Sequence, residues 1–422
     1  MVRLQCKNSG EWIDLVKEIN SSGEGKIYTT NKTGFLAKIY HNPTPERSAK
    51  LQVMANDPPT DPTLSQGHIS IAWPKDLLQD SGGSILGFLM PEIKNGQTLI
   101  KVYSPRLRNK QTPGFNWVYL HITAMNVAST IDILHKKNYV VCDIKQQNLL
   151  VQSTGQISII DTDSFQIRDK ITGKIHRSHV GSGEYTPPEM FNVDFTTVDR
   201  SELHDRFGLA IIIWQLLFGN HPFSGEWVGG ANQPNIDKLI HQGDWIYGKS
   251  SKLKPTPISI PLNVIHPELE RLFRKCFDDG NRTPYARPSA ADWKNALEVA
   301  IPELTPCSSI NNHYYARSYA KCYWCQRKIQ INYDAFPAIH GSIRTQIPVT
   351  VSVKNNKTNQ QVTTIQQTQT LPINKSQPAQ VSNPITSSNS VAKPVIFKEN
   401  WKKALIAGAI FIIGCIICIV FF

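Results

Sequence analysis

The sequence predicts an α+β chain in which a small β-rich part precedes a larger helical one. Before about residue 95, short β-forming runs stand between turns, at Lys26–Tyr28, Phe35–Tyr40, Ile69–Trp73 and Ile85–Pro91. After it, apolar residues recur at helical spacing over Trp117–Lys136, Phe207–Phe218 and Pro267–Phe277. Strands first and helices later is the pattern of segregated packing, not of alternating βαβ units. At 422 residues the chain suits one two-part domain with appendages, and 9 Trp, 13 Tyr and 16 Phe within a 40% apolar composition suffice for its core.

Four regions separate by composition. Residues 1 to about 300 read as globular, and residues 301–330 are dense in Cys, His, Tyr and Trp. Residues 331–400, rich in Gln, Asn, Thr, Ser, Val and Pro, predict a disordered linker. Ala404–Phe422 is apolar throughout and, as a helix, would span about 28 Å, close to a hydrocarbon core. Lys398, Lys402 and Lys403 precede it, so the expectation is a tail-anchored helix in the cytoplasmic membrane with the remainder in the cytoplasm.

The formal charge of +12 raises nucleic acid as a partner, but its distribution argues against that. Residues 331–400 carry six basic against two acidic side chains, and Lys402 and Lys403 add two more cations. With no long basic run, no nucleic-acid partner is expected. The eight cysteines lack the spacing of a secreted disulfide scaffold, and the opening MVRLQCKNSGEW has no apolar h-region. A reducing location for the polar part follows.

The strongest chemical signal is Tyr139-Val-Val-Cys-Asp143-Ile-Lys145-Gln-Gln-Asn148-Leu-Leu-Val151, followed by Ile159-Ile-Asp161. Phosphoryl transfer needs a carboxylate to orient the attacking hydroxyl, oxygen ligands for Mg²⁺ and a cation near the moving phosphate. Asp143, Asn148, Asp161 and Lys145 form that set. The turn Ser153-Thr-Gly155-Gln joins two apolar runs, so Asn148 and Asp161 would flank a hairpin and face one site.

On these residues the chain resembles a protein kinase. Asp143-x-Lys145-x-x-Asn148 looks like the catalytic loop, with Asp161 at the place of the metal-binding Asp of D-F-G. Gly181-Ser182-Gly-Glu-Tyr185-Thr-Pro-Pro188-Glu189 resembles the end of an activation segment, with Ser182 beside the catalytic Asp. The resemblance makes Asp205 a support of the catalytic loop and Arg287 the partner of Glu189. It also implies that Lys38 contacts ATP from a strand, that a loop carrying Gly23 and Gly25 covers phosphate, and that Met90, Glu92 and Ile93 form an interlobe hinge meeting adenine. ATP, Mg²⁺ and a protein substrate are the implied cofactors and partner.

Departures accompany the match. Val141-Cys142 stands where His-Arg precedes the catalytic Asp, so the Arg that clasps an activation-loop phosphate is absent. Asp161-Thr162-Asp163 replaces D-F-G. Glu46, the only acidic residue in the helical stretch 44–55, is open to two readings, as the partner of Lys38 or as a helix N-terminal charge. The wording Ile-Asp161-Thr-Asp163-Ser-Phe-Gln166 and Gly219-Asn-His-Pro-Phe223 is similar to bacterial Ser/Thr kinases described as helix-hairpin-helix proteins with a protein-kinase domain, without their helix-hairpin-helix segment. The resemblance implies a two-lobed kinase-like domain over residues 10–300, its small lobe ending near 93, and a cognate Ser/Thr phosphatase as partner. A nucleotide-binding pseudokinase scaffold and a membrane-tethered zinc adaptor are the rival readings.

A second site follows the kinase-like motifs. Cys307-x5-His313-x8-Cys322-x2-Cys325 offers four ligands in 19 residues, the donor set and knuckle spacing of tetrahedral Zn²⁺. Four filled positions leave no open site, so a structural zinc in a knuckle module over 301–330 is expected.

Overall fold

Strand pairing begins at the second residue. The computed structural model describes residues 2–230 and 232–339. Six antiparallel strands, β1 (Val2–Cys6), β2 (Trp12–Ser21), β3 (Gly25–Thr30), β4 (Phe35–Tyr40), β5 (Asp76–Gln79) and β6 (Ile85–Pro91), form a barrel in the order β1-β2-β3-β4-β6-β5. It closes where Gln5 and Cys6 of β1 pair with Gln79 and Leu78 of β5. Alternation along each strand turns Leu4, Cys6, Ile13, Leu15, Ala37, Leu78 and Leu89 into one buried cluster. The domain therefore starts before the expected residue 10, because β1 is needed to close the barrel.

Two glycines flank the strand that carries Lys38. A Cβ on Gly25 or on Gly87 would collide with a β4 carbonyl, of Ile39 and Lys38 respectively. Helix α1 (Pro45–Asn56) follows, capped by Thr44, whose hydroxyl accepts from the Arg47 amide. Leu51 and Met54 of α1 are buried in the main core with Tyr40, Leu77 and Phe88.

Ile69–Trp73 is not a strand of this barrel. It crosses towards the larger lobe, makes a single parallel bridge through Ile71 and Ile159, and runs into Pro74, which has no amide to donate. The barrel strand is Asp76–Gln79 instead.

The large lobe is built on two buried helices. In α2 (Trp117–Lys136), Trp117, Leu120, Ala124, Val127, Ala128, Ile131 and Leu134 recur at helical spacing and are buried, and Asn116 caps the first turn. A later helix, Glu202–Phe218, is apolar on nearly every side from Phe207 onward, as a helix enclosed by a large core must be. Gly219, in the left-handed region at φ 76°, ends it. The helix expected over Pro267–Phe277 stops at Arg274 and continues as one wider π turn, Lys275–Asp279.

Residues 301–339 are packed onto this lobe. The hairpin Leu304–Pro306 with Tyr314–Ala316 leads to the helix Tyr323–Ile331, whose Trp324 meets Trp117 edge-on, centroids 5.1 Å apart, and also Phe336 at 4.7 Å. The expected linker boundary at 331 is thus too early: Phe336 is 2% exposed, and Arg108 donates to the Ala335 carbonyl and lies over the Phe336 ring. The span expected at Ala404–Phe422 and most of the expected linker lie outside the described residues. Among the described residues, no helix is long and apolar enough to cross a membrane.

Candidate active site

The residues expected to carry the chemistry converge where the lobes meet. The hairpin Leu149–Val151 with Ile157–Ile159 pairs Leu149 with Ile159, and the Ile160 amide donates to the Asn148 carbonyl. Asn148 and Asp161 therefore stand side by side at its open end. Asp143 is buried; one carboxylate oxygen accepts from the Ser182 hydroxyl at 2.9 Å, and the other faces Lys145 Nζ at 2.5 Å. Asn148 turns its amide nitrogen to the Asp143 carbonyl at 3.1 Å, which leaves its amide oxygen for another partner.

The supports of this loop are in place. Asp205 accepts the amides of Val141 and Cys142 at 2.7 and 2.8 Å and meets His135 Nε2 at 2.9 Å. Cys142 (φ 69°) and Asp161 (φ 59°) both adopt the left-handed backbone region, a cost that non-glycine residues carry where the surroundings fix them. Arg287, fully buried, grips Glu189 in a bidentate pair with both contacts at 2.6 Å.

The small-lobe side differs from the expectation. Lys38 Nζ binds Asp161 at 2.7 Å and both oxygens of Asp163 at 2.8 Å, and Glu24 lies 3.7 Å away. Tyr40 donates its hydroxyl to Asp163 at 2.8 Å. Burial raises the Asp163 carboxyl, but the Lys38 charge and the two donors outweigh it and hold it below the usual carboxylate range. Burial likewise disfavours the Lys38 ammonium, and the two aspartates reverse that, so it stays charged. Glu46 takes no part: it lies in the first turn of α1, as a helix N-terminal charge would. Lys50 of that helix is half-buried, and desolvation brings its pKa down to about 8.

The loop between β2 and β3 forms a hairpin, with Ser22 donating to the Gly25 carbonyl at 2.9 Å. Gly23 sits at its open tip, whereas Gly25 is required by the close approach of β4. At the hinge, Met90 pairs with Leu36 and the Glu92 amide is spent on the Gly34 carbonyl, so a base there would meet the Glu92 carbonyl and the backbone from Ile93 onward.

The protein kinase domain family matches residues 84–297 of this chain. The chain belongs to the protein kinase family. It is 33% identical over 325 residues to Protein kinase YegI of Escherichia coli O157:H7, covering 75% of this chain and 49% of that protein. The YegI of Escherichia coli K12 is 32% identical over 326 residues, with the same coverage. Serine/threonine-protein kinase GRIK1 of Arabidopsis thaliana is 26% identical over 211 residues, half of this chain and 43% of that one. The chain spans about half the length of the bacterial relatives it matches. A kinase domain implies ATP and Mg²⁺, and the residues fit them: Asp161 and the free amide oxygen of Asn148 are oxygen ligands, and Lys38 is a fixed cation beside Asp161.

A second cluster lies beyond the family match, in the segment packed onto the large lobe. The ligand atoms of Cys307, His313, Cys322 and Cys325 all lie within 4.8 Å of one another. Cys307 and Cys325 sulfurs are 3.5 Å apart, and His313 Nδ1 is 3.4 Å from Cys325 and 3.6 Å from Cys322. The other ring nitrogen donates to Asp334 at 2.8 Å, which turns Nδ1 towards the sulfurs. Asp163, Tyr40 and Asp334 are the functional residues that sequence reasoning missed. The D-T-D spelling was the visible signal for the first of them.

Proposed function

We propose that this chain is an ATP-dependent protein Ser/Thr kinase. The observation that carries the reading is Asp143, buried and held between Lys145 and the Ser182 hydroxyl, with Asn148 and Asp161 at the open end of the adjoining hairpin. Mg-ATP, when bound, supplies the phosphoryl group and charge neutralisation on it. Asn148 and Asp161 would hold the metal, and Lys38 would hold Asp161 and the nucleotide phosphates. Asp143 would orient the acceptor hydroxyl, with Ser182 marking where a hydroxyl can reach its carboxylate. Lys145 would counter charge on the transferring group.

The Cys/His cluster supports a structural zinc. Bonds of about 2.3 Å to sulfur and about 2.0 Å to nitrogen at tetrahedral angles separate ligand atoms by roughly 3.5–3.8 Å, which the observed spacings approach. The apolar run Ala404–Phe422 supports a membrane tether for the full chain, tested by carbonate extraction of membranes; release of the chain would overturn it. The kinase reading is tested by phosphate transfer from labelled ATP to protein substrates, full chain against Asp143→Asn. A drop of about 10²–10⁴-fold is expected. Equal transfer by both proteins would reject the reading, and ATP binding without transfer would make the chain a pseudokinase.

A further inference from the structure

We propose that Arg200 is the positioning residue that holds the activation segment in working order without any phosphate. The residue stands just before the Ser201 cap of the helix Glu202–Phe218 and is 6% exposed. Its guanidinium donates to three backbone carbonyls: Cys142 at 3.1 Å, Ser178 at 2.8 Å and Val180 at 2.7 Å. One of these belongs to the residue before Asp143, and the other two to the segment leading to Ser182. No carboxylate pairs with this arginine among the described residues, so its charge is spent entirely on joining two stretches of backbone.

The arginine is itself clamped. Its amide donates to the Gln166 side chain at 2.8 Å, and its carbonyl accepts from the same side chain at 2.6 Å. The Gln166 backbone in turn exchanges two hydrogen bonds with Val140, at 2.8 and 3.1 Å. Phe195 lies beneath the guanidinium, 4.6 Å from its ring centroid. Gly181 makes room for both: a Cβ there would stand 2.7 Å from the Phe195 ring and 3.4 Å from Arg200 Nη1. The left-handed Cys142 is thus pinned on its amide by Asp205 and on its carbonyl by Arg200. A cation that reads a phosphate must keep its donors available, whereas both terminal nitrogens of this one are committed to carbonyls and its Nε is buried. The planar fork of a guanidinium spans carbonyls on two segments, which an ammonium does not reproduce.

The catalytic consequence rests on the kinase reading above; the structural one does not. The test measures hydrogen exchange across residues 176–182 in the full chain, before and after phosphatase treatment, and in Arg200→Lys and Arg200→Ala. Wild-type protection should survive the phosphatase. Both variants should lose it in that segment while the helix Glu202–Phe218 stays protected, and Arg200→Lys decides if the alanine variant loosens throughout. Transfer by Arg200→Lys should show kcat lowered about tenfold or more with KM for ATP unchanged, the signature of a misplaced acceptor site. Unchanged exchange in both variants, or wild-type protection lost on phosphatase treatment, would overturn the proposal. A wild-type chain with no Asp143-dependent transfer would count against the kinase reading alone, because exchange still decides this one.

Discussion

The two faces of the interlobe site solve the same electrostatic problem in different ways. On the large-lobe face, Asp143, Asn148, Asp205 and the Glu189–Arg287 pair keep the order and spacing that the sequence motifs announce. On the small-lobe face, the carboxylate that neutralises Lys38 comes from Asp163, two residues beyond Asp161 in the same loop, and the neighbouring helix presents Lys50 in place of an acid. The position of Lys38 is therefore tied to the loop bearing Asp161 and not to α1. What must be supplied is a buried counter-charge; which element supplies it is free to change.

The comparison breaks first at Asp161, which serves both faces. Asp161→Ala should abolish Mg-ATP-dependent transfer, leaving at most a few per cent in an initial-rate assay, while circular dichroism stays unchanged. Asp163→Ala should strip Lys38 and Tyr40 of their shared acceptor and raise KM for ATP about tenfold or more, whereas Glu46→Ala should leave it within error. Equal effects of the two substitutions would restore α1 as the partner of Lys38. On the opposite face, Glu189→Ala leaves a buried guanidinium unpaired and should cost about 3–5 kcal/mol by urea unfolding.

Farther from the site the effects shrink. Cys322→Ser, or metal removal, should raise hydrogen exchange over residues 304–339 and leave KM for ATP unchanged; metal analysis of chelator-free protein should find about one zinc per chain. The smallest effect belongs to Lys50. Its pKa falls from 10.5 to about 8, so between those values the unfolded chain binds more protons and stability rises with pH. Below pH 8 the whole penalty is present. Because the side chain is only half-buried, solvent screening reduces that penalty, and Lys50→Met should stabilise the chain by about 1 kcal/mol at pH 7, an advantage that thermal melts should show vanishing as pH nears 10.5.

Local signals carried much of this structure. The boundaries of α2 followed from apolar spacing, and the four cluster residues from their own separation. The order of the site residues was legible because Asp143, Lys145 and Asn148 lie close together in the sequence. What escaped was long-range: closure of the barrel joins Cys6 to Leu78, and Lys38 meets Asp163 across 125 positions. Neither pairing has a period or spacing to read. Ile69–Trp73 misled because a buried crossing segment is as apolar as a strand. The linker boundary misled because the docking segment 333–339 is short and its apolar residues are averaged into the polar composition of the sequence after it.

The closed barrel has a further consequence. Each of its six strands has neighbours on both sides, so among the described residues its unpaired edges are short stretches where a ladder ends early, such as residues 17–21 of β2, which pair with β3 alone. A partner that acts by strand addition is thereby limited to such short stretches, and the rest of the lobe offers it side chains, chiefly those of α1 and the loop tips.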